Sequence, residues 1–325
     1  MYMEGVILNL QSKKYEQLKN EMCSCIEWQG KNDTYICFEK SSFTFQRNRV
    51  IYSVEVSVIQ TEKCITIKSQ VPVQFQSLYL YVGDVRRYEY LFDGAFYVMN
   101  KCLADGNEVT EVIESVELGY FQSARLKHKI PLELDDKEYK KYYLRWLKLQ
   151  NDLGIINQMM LFANGVNGLT ADVRISMLIE CYEALGRKLE KLHILSVAPE
   201  PNTSRQVTCS NCGGSHSIPI RGKKTLACYV SALVEKYGKP VFLTEFRRRR
   251  SLIARMIKTR NKVFHVNPKQ KKVLKGGQCG FYAVKLEWMF RYIIWILMGY
   301  NQAKLDAVIS KEVMKFESDF KNLIY

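Results

Sequence analysis

A short run near the end of one helical segment holds the residues best suited to chemistry. Leu252, Ile253, Met256, Ile257, Val263 and Phe264 recur at helical spacing, and the stripe they form asks for an apolar residue at 260. Arg260 stands there instead. A guanidinium on the buried face of a helix is costly unless it is paired or meets an anion. The structural alternative is an arginine that snorkels to the bundle edge or pairs with a core glutamate. Asn261 follows directly, and His265 lies four residues beyond it, one turn on and on the same face. Imidazole titrates near neutrality and can take or give a proton, whereas the forked donors of a guanidinium can clamp an oxyanion.

The surrounding charge points the same way. From Arg247 to Lys285 there are thirteen Lys and Arg residues and no Asp or Glu, so this stretch carries nearly all of the formal excess of +15. Arg247, Arg248, Arg249, Arg250, Arg255, Lys258 and Lys262 precede or flank the cluster; Lys269, Lys271, Lys272 and Lys275 follow it in a loop. Such a patch suits binding to a phosphate backbone with little base specificity. A solvated helix start and a charged loop is the plain alternative. The net charge by itself allows either a nucleic acid or an anionic membrane as partner.

The elements that must position these residues fall into two textures, and 325 residues at 47% hydrophobic content are enough for two cores. Residues 1–130 alternate β-branched and aromatic residues with polar ones, which predicts an N-terminal β-rich domain. Residues 50–59 and 64–68 read as strands joined by a turn at 60–63. Residues 74–97 fit either strand or helix, Asp105-Gly106 marks a turn, and residues 112–120 read as a strand leading out. Beyond Pro131 the pattern is all-helical over 136–325, giving an α+β chain that ends in a helical bundle. Asp135 or Asp136 caps a helix over 137–164, and Thr170 caps a second that aligns Leu178, Cys181, Tyr182, Leu185 and Leu189. A third carries Leu226, Tyr229, Val230, Leu233, Val234 and Tyr237 before Gly238 and Pro240 stop it. A fourth spans roughly 246–266, and a final pair fills 280–325.

An insert at about 195–224 contains Cys209-Ser-Asn-Cys212-Gly213-Gly214, which looks like a zinc knuckle, because a C-x-x-C turn closed by glycine offers two thiolates to one ion. His216 and Cys228 could complete a structural zinc site; a loop of reduced thiols is the alternative, and a redox role lacks a βαβ context. Ten cysteines without a secretion signal indicate a reduced, cytoplasmic setting. The longest apolar stretch, residues 292–298, is too short to span a bilayer and neighbours Lys285, Glu287 and Arg291, so it reads as a buried core helix, with no membrane partner.

The run Arg260-Asn261-Lys262-Val263-Phe264-His265 resembles the R-x4–6-H motif of HEPN ribonucleases, including the polar residue after the arginine. The longer run from Met256 to His265, in an all-α domain that follows a β-rich one, is similar to the ApeA-type HEPN nucleases of bacterial anti-phage defence. In the nucleotidyltransferase-linked branch a tyrosine follows the histidine by two positions; here that position is Asn267, which argues against that branch. The resemblance implies a metal-independent endoribonuclease with an abortive-infection or toxin-like role, using no cofactor for catalysis. His265 would be the base for the ribose 2′-OH or the acid for the leaving 5′-oxygen, Arg260 the clamp on the pentacoordinate phosphate, and Asn261 its aid. One chain supplies one histidine, so the resemblance also implies a homodimer, or a higher homo-oligomer, that pairs two motifs. It implies a phage-derived trigger sensed by the N-terminal domain, and tRNA loops fit a sequence-tolerant cutter of single strands. The alternative is a non-catalytic RNA- or partner-binding HEPN protein.

Overall fold

The computed structural model describes residues 13–31, 38–59, 62–94, 98–114, 128–165, 168–208, 210–267 and 269–324. The architecture is α+β, a sheet followed by a helical C-terminal region, as the sequence indicated. Packing separates the chain into two units: residues 1–154, 164–168 and 294–308 in the first, and 155–163, 169–293 and 309–325 in the second.

The first unit holds an antiparallel sheet of β1 (Met22–Lys31), β2 (Phe38–Arg47), β3 (Val50–Ile59), β4 (Glu62–Gln74), β5 (Val98–Ala104) and β6 (Asn107–Glu108), in the order β2-β3-β4-β1-β5-β6. The predicted strand 50–59 coincides with β3, and 64–68 lies inside β4; Gln60 and Thr61 of the predicted turn lie outside the described residues. Alternation buries Ile26, Trp28, Phe43, Phe45, Val54, Val56, Ile65 and Ile67 on one face. Asp105 and Gly106 adopt φ values of +46° and +82°, the left-handed pair that a tight hairpin needs. The Asp105 carboxylate accepts from the Ser24 and Cys25 amides at 3.0 and 2.8 Å, fastening that turn to β1.

The ambiguous stretch 74–97 is helical over α1 (Phe75–Asp93), where it buries Phe75, Leu78, Val82 and Val85 at helical spacing and ends on Gly94 at φ +64°. The strand expected at 112–120 is not formed at its start, because Thr110–Glu114 is a short helix, α2; residues 115–120 lie outside the described residues. Thr110 opens that turn, its hydroxyl accepting from the Cys102 amide at 3.0 Å, and Ile113 is buried. Val112 and Ile113, which read as the start of a strand, thus lie in a short helix that buries Ile113.

α3 (Asp136–Gly165) starts on Asp135, whose carboxylate accepts from the Glu138 amide at 2.8 Å. Its Tyr139 hydroxyl donates to Glu89, which also accepts from the buried Lys63 ammonium at 2.5 Å; Asp93 takes the same ammonium at 2.8 Å. Lys63→Met would leave two buried carboxylates without their cation, and urea unfolding should show a loss of about 3–5 kcal/mol. An unchanged midpoint would mean that the cluster carries no net stability.

The second unit contains α4 (Ala171–Lys191), the hairpin β7 (Thr203–Thr208) and β8 (Ser215–Ile220), α5 (Leu226–Tyr237), α6 (Lys239–Phe242), a 3-10 turn (Leu243–Arg248), α7 (Arg249–Phe264), most of α8 (Gly277–Leu297) and most of α9 (Gln302–Ile324). Ile175, Leu178, Tyr182, Val230, Leu233, Leu252, Met256, Leu286, Ile309 and Val313 form its core. Gly186 lets Tyr229 close in, since a Cβ there would lie 2.9 Å from the tyrosine's own Cβ. Thr170 precedes α4 without capping it: its hydroxyl donates to Asp172 at 2.5 Å instead of accepting from a backbone amide. Within the predicted insert the chain forms the β7–β8 hairpin, every strand residue of which is exposed. Lys285, Glu287 and Arg291 are all buried on α8, and no helix among the described residues is long and apolar enough to cross a membrane.

Candidate functional site

α7 carries the cluster. Its buried stripe is Leu252, Ile253, Met256 and Thr259, whereas Ile257 and Val263 are half-buried and Phe264 is 44% exposed. The stripe therefore turns onto Thr259, one residue before the arginine. The Thr259 hydroxyl donates to the Arg255 carbonyl at 2.9 Å and accepts from the Leu274 amide at 2.8 Å, so a polar residue sits in the core at no unmet cost.

Arg260 lies at the edge of that stripe with 19% of its side chain exposed. Its Nε pairs with Oε1 of Glu180 on α4. Nη1 donates to Asn261 Oδ1 at 3.0 Å and faces His265 Nε2 at 2.8 Å. The guanidinium has donors only, so in this contact Nε2 is the acceptor. The pairing with a glutamate and the convergence on Asn261 and His265 are thus two halves of one arrangement. Nη2 makes no hydrogen bond among the described residues and can meet an incoming oxyanion. His265 ends the helix, its amide accepted by the Asn261 carbonyl at 3.1 Å, and the next residue, Val266, is 82% exposed at φ +46°. A β-branched residue in the left-handed region is strained, by about 1–3 kcal/mol.

The basic residues divide by what they touch. Arg249 donates to Glu235 Oε1 at 2.7 Å and to the Phe246 carbonyl at 3.0 Å, and Arg255 donates to Gln278 at 2.8 Å, so both serve packing. Lys285 is wholly buried between Glu245 and Glu317 and adds nothing to the surface. Arg247, Arg248, Arg250, Lys262, Lys269, Lys271, Lys272 and Lys275 are exposed and Lys258 half-buried, and none makes a salt bridge among the described residues. Arg250, Ala254, Lys258, Asn261 and His265 follow one another at spacings of four, four, three and four, so a single row of α7 leads along basic side chains to the histidine.

Of the zinc candidates, Cys212 Sγ lies 3.8 Å from His216 Nε2 at the hairpin tip, where Gly213 takes φ +66°. Cys228, in α5, contacts Thr225 Oγ1 at 3.5 Å and the Lys223 carbonyl at 3.9 Å instead. Cys209 lies outside the described residues, and among the described residues no group of three or more potential ligands gathers.

Glu180 is the site residue that sequence reasoning did not name. On α4 it stands between the buried Ile179 and Cys181, and nothing in its local pattern marks it as the partner of a residue eighty positions later.

The late helix of this bundle ends in Arg-Asn-x-x-x-His, with Arg260 in contact with both Asn261 and His265. The family described as Apea-like HEPN matches residues 177–304, so the chain carries an Apea-like HEPN domain there, with Glu180 and the whole of α7 inside it. No curated protein and no solved structure matches the chain.

Proposed function

We propose that this chain is a metal-independent endoribonuclease of anti-phage defence, acting in an abortive-infection or toxin-like manner. The observation that carries the reading is the contact of Arg260 with Asn261 and His265 at 3.0 and 2.8 Å, beside a row of unpaired cations. In this reading the RNA backbone runs along Arg250 and Lys258, and the free edge of Arg260 holds the scissile phosphate. One imidazole takes the 2′-OH proton as the 2′-oxygen bonds to phosphorus. A second protonates the 5′-oxygen as its bond to phosphorus breaks, leaving a 2′,3′-cyclic phosphate and a 5′-hydroxyl. A chain with one such histidine completes the pair in a homodimer, which favours an active site shared between two copies. The sheet-bearing unit would sense a phage-derived trigger, and tRNA loops are the favoured substrate.

Incubation of the full-length protein with total tRNA and mRNA in EDTA, with and without lysate of phage-infected cells as trigger, should yield fragments with cyclic phosphate ends. Chelator-sensitive cleavage, 3′-hydroxyl ends, or no cleavage in either arm would overturn the reading. A second reading, a non-catalytic RNA-binding HEPN protein, draws on the Glu180 pair, which already satisfies much of Arg260. It predicts RNA binding along the α7 row with no cleavage under either condition.

The Cys212–His216 contact supports structural zinc at the hairpin tip, with Cys209 as a further ligand. Elemental analysis of metal-free-buffer preparations should find about one zinc per chain, lost in Cys212→Ser. Equal zinc in wild type and variant would remove this site.

A further inference from the structure

The sheet of the first unit has a second face, opposite its core. Phe43, Val54 and Ile67 are buried on the core side, so Ser42, Thr44, Ser53, Glu55, Thr66 and Lys68, which alternate with them, point the other way. Register sets these in two cross-strand rows over β2, β3 and β4, with Thr44, Ser53 and Lys68 in one and Ser42, Glu55 and Thr66 in the next. Strands lie about 5 Å apart and the rows about 7 Å apart, so the side chains tile a patch of about 10 by 7 Å. They line a cavity of about 530 Å³, within the size range of small-molecule sites. Asp136, Lys137 and Lys140, which share one side of the first two turns of α3, complete its wall.

The lining is polar and its donors are uncommitted. The hydroxyls of Ser42, Thr44, Ser53 and Thr66 and the ammonium groups of Lys68, Lys137 and Lys140 make no hydrogen bond or salt bridge among the described residues. Ser53, Thr66 and Lys140 are half-buried, so part of this donor set is withdrawn from bulk water. Phe43 and Val54, the apolar residues at the cavity, are buried in the core, and a nucleobase or acyl chain would find no surface to lie against. The two rows differ in what they offer. One runs hydroxyl, hydroxyl, ammonium, a set of donors for an oxyanion; the other places a carboxylate between two hydroxyls and can accept as well as donate.

We infer that this cavity binds a small hydroxylated oxyanion, its anionic group on the Thr44–Ser53–Lys68 row and the lysines of α3, and its hydroxyls on the Ser42–Glu55–Thr66 row. Lysines alone would suit any anion. The neighbouring row, with an acid between two hydroxyls, asks for a ligand that also donates. A polyol phosphate and a hydroxy-polycarboxylate share this chemistry. The site lies wholly within the first unit, and its occupancy does not depend on the ribonuclease reading.

Calorimetric titration of the full-length protein with glycerol 3-phosphate, glucose 6-phosphate, citrate, sulfate and glycerol tests it, at about 0.15 M salt to screen the general pull of a basic chain on anions. At least one of the hydroxylated anions should bind saturably below about 1 mM, and sulfate and glycerol at least about tenfold more weakly. Binding of either phosphate ester would assign a polyol phosphate, and binding of citrate alone a hydroxy-polycarboxylate. Lys68→Ala, a change at an exposed side chain, should weaken the ligand about tenfold. Lys304→Ala, an equal loss of charge at an exposed residue outside the cavity, should not. Ser53→Tyr, which fills the centre of the patch with a residue strands accept, should abolish binding while thermal melting stays near that of wild type. His265→Ala should bind as wild type even where it has lost cleavage, which keeps the two proposals separable. No saturable binding by any hydroxylated anion, sulfate binding as tightly as the best of them, equal losses in Lys68→Ala and Lys304→Ala, or full binding in Ser53→Tyr would overturn the proposal.

Discussion

Replacing His265 by alanine should lower the rate of RNA cleavage by about 10²–10⁴-fold while leaving RNA affinity nearly unchanged. The imidazole is the one group in the cluster able to move a proton near neutrality, whereas the cations along α7 that would hold the backbone are separate side chains. Gel-based cleavage and filter binding on the same preparation separate the two effects. A variant that still cleaves within a few-fold of wild type would remove His265 from the chemistry. The shared site makes a second demand on the same variant. When wild type and His265→Ala are co-expressed in equal amounts and assort at random, about a quarter of dimers keep both histidines. Activity should then fall to about a quarter of that of the same total protein as wild type, whereas sites confined to one chain would retain about half.

Glu180→Ala should reduce turnover by about 10–100-fold with little change in KM, because it frees the Arg260 guanidinium from the orientation that aims Nη1 at Asn261 and His265. Glu180 is a positioning residue in this account. A pair that is 19% and 31% exposed is partly screened, so the accompanying loss of stability should be about 1–2 kcal/mol. Glu180→Gln, which keeps an acceptor for Nε, should recover much of the lost turnover. Arg260→Lys, which keeps the charge but not the fork, should not. Equal turnover in wild type and Glu180→Ala, measured well below the melting temperature, would reduce the contact to a stabilising ion pair.

The sequence was informative wherever one local pattern has one physical solution. Asp105-Gly106 could only be a tight turn, the alternation over 50–59 only a half-buried strand, and Gly238 with Pro240 only a helix stop. The stretch 74–97 resisted because a helix buried on much of its circumference loses the one-sided polarity that reveals its period, and α1 buries Tyr81, Arg86, Tyr88 and Glu89 along with its aliphatic face. Thr110–Glu114 misled because β-branched residues at a helix start look like a strand until their burial is known.

The same division runs through the candidate site. Spacing along one helix placed Asn261 and His265 a turn apart and set a run of basic residues beside them, since helical geometry is a local property of the chain. Only tertiary packing brought Glu180 to Arg260, because a partner eighty residues away leaves no trace in the local pattern. Packing also decided which cations remain available, tying Arg249 to Glu235 and burying Lys285 between two carboxylates, since net charge counts side chains without regard to their neighbours. The order of arginine, asparagine and histidine along one helix was thus determined by the sequence. That the arginine rests on a glutamate at the edge of the core, with one guanidinium nitrogen left for a ligand, was decided by the fold.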